Sequence, residues 1–103
     1  MEKLYLLAEG LNKRFPDGNE PYQMATRLAE ECGEVAAEVC HWENSGAKRR
    51  KRGEPSKEAI AGEIKNVLSC AMQLALYYGV QEELQLSIDK SLAMLKKEGH
   101  IDA

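Results

Sequence analysis

The 103-residue chain lacks the patterns by which several protein classes are recognised. Its three cysteines, Cys32, Cys40 and Cys70, are an odd set without a Cys-x-x-Cys pair or Cys/His ligand spacing, which argues against a disulfide framework or a cysteine-built zinc site. The N-terminus has no basic segment followed by an apolar core, so no secretory leader is read there. The expected setting is a reducing cytoplasm with free thiols. No apolar run approaches the ~20 residues of a membrane span, because Lys65, Gln73 and the polar segment 81–83 interrupt the richest region. Nothing alternates with the period of two that marks a half-buried strand, and no internal repeat is present.

What the chain does have is helical periodicity. Leu4, Leu7 and Leu11 recur at helix spacing before "FPDGNEP", whose Pro16, Gly18 and Pro21 break the run. The pattern predicts four main helices, at about 2–15, 22–43, 56–78 and 81–97, in one all-α domain covering 1–103. Pro21 suits the first turn of the second helix, Ser56 with Glu58 the start of the third, and Gly79 its end. A net charge of −3 with 30% charged residues gives no reason to expect nucleic acid or a membrane as partner. A chain this short buries only about two-thirds of its unfolded surface, so completion of the helical bundle by oligomerisation is expected.

Advancing about 100° per residue along the second helix, Met24, Leu28, Cys32, Val35, Val39 and Trp42 share one sector, the expected core stripe. Arg27, Glu31, Glu34, Glu38 and His41 fill the adjoining sector, while Glu30 and Glu43 lie elsewhere as ordinary surface acids. On the third helix Ile60, Ile64, Val67, Ala71, Leu74 and Tyr78 form the stripe, flanked by Glu63, Asn66, Cys70 and Tyr77. If the two helices pair antiparallel, Glu31, Glu34, Glu63 and Asn66 meet across one groove. Three carboxylates and an amide oxygen are a hard-oxygen set suited to Mg²⁺ or Mn²⁺, and the cation offsets their mutual repulsion.

"LAEECGEVAAEV" followed some thirty residues later by "EIKNVL" resembles the MazG-like, all-α nucleoside triphosphate pyrophosphohydrolases, whose pattern is ExxE followed by ExxD. The resemblance runs from about Met24 to Lys90. It implies Mg²⁺ held by four acids, cleavage of a nucleoside triphosphate to monophosphate and pyrophosphate, and assembly as a homodimer or dimer of dimers. Position by position, Glu31 and Glu34 match ExxE, Glu63 matches the next acid, and Asn66 stands where the family usually has Asp. Lys90 matches the family's lysine in the final helix, whereas Met94 and Lys97 depart from its Asn and Arg.

Asn at 66 keeps an oxygen ligand but removes a charge, so metal affinity should fall. Glu34 or Glu38 is the candidate base that positions or deprotonates water. The alternatives are a degenerate member that binds nucleotide without turnover, and a helical adaptor whose basic loop binds nucleic acid. That loop, "KRRKR", supplies Lys48, Arg49, Arg50 and Arg52 as candidate phosphate contacts, with phosphate placed ahead of nucleic acid. Trp42 and Tyr78 are read as core and Tyr77 as the aromatic candidate for the substrate. Cys32 and Cys70 are read as small apolar groups in or near the core, and His41 as a helix-end group outside the metal set. A second apolar strip on the third helix, Leu68, Met72, Ala75 and Leu76, is where part of the oligomer contact implied by the resemblance is expected, the alternative being burial beneath the first or fourth helix of the same chain.

Overall fold

The computed structural model describes residues 1–43 and 53–102. Among the described residues it contains four helices and no strand: α1 (Glu2–Arg14), α2 (Pro21–Trp42), α3 (Lys57–Tyr78) and α4 (Gln81–Lys97). Local chemistry explains their ends. α2 opens with Pro21 in its first turn behind a reciprocal cap, the Glu20 side chain and the Gln23 side chain each bonding the other residue's backbone. The Ser56 hydroxyl accepts from the Ala59 N–H at 3.1 Å and so satisfies an orphan donor of α3. α3 stops at Gly79, whose φ of 63° and ψ of 37° lie in the left-handed region that side chains disfavour.

α3 is the central element. α2 runs along it and α1 packs on it from another side, whereas α4 touches α3 alone. The α2–α3 pair is antiparallel: Met24, early in α2, shares a cavity with Gln73 and Leu76, while Val35 shares one with Ile64. The shape is open. The radius of gyration is 16.8 Å, against about 13 Å for a compact chain of this length. No described helix is long and apolar enough to cross a membrane.

The core differs from the expected stripes. Its apolar members are Ala8, Met24, Cys70, Met72 and Ala75, and Glu38, His41, Ser69 and Gln73 are buried beside them. Cys32, Val39 and Trp42 of the predicted α2 stripe are exposed, as are Ile64 and Tyr78 of the predicted α3 stripe. α2 is turned so that the edge of its acidic sector also meets α3, and the apolar stripe is thereby left partly open. The second strip of α3 is likewise reassigned: Met72 and Ala75 are each only 7% exposed within the single chain, so they are core, and only Leu68 of that strip stays open.

Candidate functional site

A cavity of about 170 Å³ with a mixed lining opens between α2, α3 and the end of α1, where Leu11 and Phe15 supply apolar wall. Glu31 of α2 and Asn66 of α3, one residue from each motif, both line it, together with Arg27, Ser69, Cys70 and Gln73. Arg27 precedes Glu31 by one helical turn, so a cation and an anion face the same space. Hydrogen bonds fix the rim. Arg27 Nη2 donates to Asn19 Oδ1 at 3.1 Å, and Asn19 Nδ2 donates to the Phe15 carbonyl at 2.7 Å, tying α2 to the end of α1. Gln73 Nε2 donates to Asn12 Oδ1 at 2.8 Å and joins α3 to α1. Burial pushes the Cys70 thiol above its ordinary pKa, Arg27 opposing this and Glu31 adding to it, so the thiol stays protonated near neutrality.

A second cavity of about 150 Å³ adjoins the first, sharing Asn19 and Gln73 with it and adding Asn12 and Tyr77. Tyr77 therefore lies on the same groove as Glu31 and Asn66, at its other end. Its ring meets Tyr78 edge-on, with centroids 5.1 Å apart.

The remaining predicted residues are placed differently. Glu63 is half-buried one turn before Asn66 on α3, and Glu34 is exposed one turn after Glu31 on α2. Among the described residues, no three His, Cys, Asp or Glu side chains are gathered closely enough to hold a metal ion. Glu38 is buried, with Oε2 3.7 Å from His41 Nδ1. His41 Nε2 lies 2.6 Å from the Gly53 carbonyl; a carbonyl only accepts, so Nε2 carries a proton and ties Gly53, four residues before α3, to the end of α2. Lys90 is exposed on α4, which packs on α3 and makes no contact with α2, the helix that carries Glu31 and Glu34. Lys48, Arg49, Arg50 and Arg52 lie outside the described residues.

Asn12, Asn19, Phe15 and Gln73 were not singled out by sequence reasoning. Gln73 carried the one usable signal, an amide in the middle of the most apolar helix. Asn19 and Phe15 sit at a helix end and a turn, where polar and apolar residues are ordinary.

No family model matches the chain, and neither does any curated protein or solved structure. The functional reading rests on the paired motifs and on this groove.

Proposed function

We propose that the chain binds a nucleoside triphosphate in the groove between α1, α2 and α3 and hydrolyses it, with a divalent cation, to monophosphate and pyrophosphate. The observation that supports this most is the meeting of Glu31 and Asn66 in one cavity, since the two motifs lie more than thirty residues apart in sequence. Glu31, Glu34, Glu63 and Asn66 are hard oxygen donors of the kind Mg²⁺ or Mn²⁺ takes, and holding the ion would require the three carboxylates, which are not gathered in the structure, to converge on it. The ion would supply charge neutralisation for the phosphates. Of the two candidate bases, Glu34 is the better placed, because it is open to solvent whereas Glu38 is buried beside His41. Arg27, in the same cavity, is suited to a phosphate oxygen through its planar guanidinium. A homodimer or dimer of dimers in a reducing cytoplasm belongs to the same reading.

Incubation of the pure protein with each common ribo- and deoxyribonucleoside triphosphate plus Mg²⁺ or Mn²⁺ tests the proposal through pyrophosphate release. Absence of product from every nucleotide overturns hydrolysis. One observation then favours binding without turnover: Arg27 and Glu31 cancel in charge within a lining otherwise made of neutral groups, and Asn66 adds no negative charge to attract a cation. Calorimetric titration with a non-hydrolysable triphosphate distinguishes that reading.

A further inference from the structure

The second cavity, of about 150 Å³, has room for one six-membered ring; an engineered apolar cavity of about that volume takes up benzene. Met24 and Leu76 supply apolar walls, Met24 being only 1% exposed, and Tyr77 stands 54% exposed at the rim. Asn12, Asn19 and Gln73 complete the lining, which holds no charged side chain.

The three amides are not equally occupied. Asn19 is committed at both ends, its Oδ1 accepting from Arg27 and its Nδ2 donating to the Phe15 carbonyl. Asn12 and Gln73 share one bond, from Gln73 Nε2 to Asn12 Oδ1 at 2.8 Å. That bond leaves the Asn12 Nδ2 donor and the Gln73 Oε1 acceptor without a partner among the described residues. Gln73 is only 6% exposed and lines both cavities, so what remains open of it faces this groove. A donor and an acceptor fixed side by side match the edge of a nucleobase. Cytosine sets an amine donor beside a ring-nitrogen acceptor, and uracil or thymine sets a carbonyl acceptor beside a ring N–H.

We infer that the second cavity receives the base of the nucleotide and selects a pyrimidine, the Asn12–Gln73 pair reading its edge while Met24 and Leu76 flank its faces. The inference rests on the nucleotide reading and adds the class of base accepted. A purine carries a second fused ring, for which this cavity has no room. Asn19 and Gln73 line both cavities and stand where they meet, each held by a hydrogen bond to α1 or its end. The extra ring therefore cannot spread into the first cavity without breaking one of those bonds. The first cavity, with Arg27, Glu31 and Asn66, is left to the phosphates.

Calorimetric titration of the full chain with the α,β-methylene triphosphates of cytidine, uridine, adenosine and guanosine, and with their 2′-deoxy forms, tests this in the presence of Mg²⁺. The methylene bridge blocks cleavage, so binding is read apart from turnover. Pyrimidines should bind at least about tenfold tighter than purines. Equal or tighter purine binding overturns the inference and leaves the nucleotide reading standing, whereas no binding by any of these probes overturns both. Two variants separate the cavity's size from its polar edge. Leu76→Ala enlarges the cavity and should raise purine affinity relative to pyrimidine about fivefold or more. Asn12→Asp keeps an oxygen for Gln73 to donate to and turns the free N–H₂ into an acceptor. It should weaken pyrimidine binding about tenfold more than purine binding, with the melting temperature held because the bond to α1 is kept. An unchanged base preference in either variant overturns the inference.

Discussion

The two sides of the α2–α3 pair are made by the same helices and have opposite characters. On one, amides, Arg27 and Glu31 line a groove together with Leu11 and Phe15, and hydrogen bonds tie it to α1 and to the α1–α2 connection. On the other, apolar side chains stand open with nothing from the described chain against them. One side mixes charged, amide and apolar groups, whereas the other is almost wholly apolar and still in part exposed, which is unusual for a self-sufficient domain. Both oddities have one explanation if the polar side is a binding site and the apolar side is half of a core. A polar groove costs stability because it replaces packing, and the second copy would offset that cost.

The largest expected effect separates packing already complete in one chain from packing that needs two. Met24→Ala should lower stability by about 3 kcal/mol, because its side chain is fully buried within the protomer. Leu68→Ala is the informative companion. In a lone chain it should cost under about 1 kcal/mol, since Leu68 is on the surface; with the face closed by a copy it should cost about 2 kcal/mol or more. Urea unfolding of both variants, at matched concentrations, reads the difference. A small loss for Leu68→Ala beside a large one for Met24→Ala would leave the apolar side without a role in folding.

On the polar side, Glu31→Gln should lower pyrophosphate release on the order of a hundredfold, as expected for loss of one preorganised charged group. The melting temperature should move by less than about 5 °C, because Glu31 is only half-buried and makes no hydrogen bond or ion pair with the described residues. A large loss of stability with unchanged turnover per folded molecule would show that the groove is structural.

The helices themselves were legible because their signals are local. Pro21, Ser56 and Gly79 act through their own backbone neighbours, and each stands where its chemistry requires. The side each helix turns inward was less legible. A wheel on α2 places Met24, Cys32, Val39 and Trp42 together, but it cannot show that α3 sits toward the acidic edge, which buries Glu38 and exposes Cys32 and Val39. Likewise Met72 and Ala75 read as an outer strip until α1 is known to pack on α3. The meeting of Glu31 with Asn66 was legible because both flank stripes on helices that pair antiparallel. Asn12 and Asn19 were not, since their positions follow from how α1 lies on α3.

Asn66→Asp gives a smaller and more pointed test of the polar side. Restoring a carboxylate should tighten Mn²⁺ binding about tenfold, roughly 1.4 kcal/mol, measured by calorimetric titration of the two proteins. Unchanged affinity would remove residue 66 from the metal set while leaving the groove as a nucleotide site.

The smallest effect concerns α1 and has the opposite sign. Tyr5 and Asn12 are seven residues apart and so lie along one edge of α1, the edge through which Asn12 meets Gln73. The Asn12 amide is paired, but the buried Tyr5 hydroxyl has no hydrogen-bond partner among the described residues. A buried donor without a partner loses its water and gains nothing in return. Tyr5→Phe removes that group and keeps the ring, so it should stabilise the chain by about 0.5 kcal/mol. Gln73→Leu, by contrast, strands the Asn12 amide and should destabilise by about 1 kcal/mol. Differential scanning calorimetry of the pair reads two shifts of opposite direction. If Tyr5→Phe is destabilising, its hydroxyl has a partner in the assembled protein, and the edge of α1 joins the surface that a second copy covers.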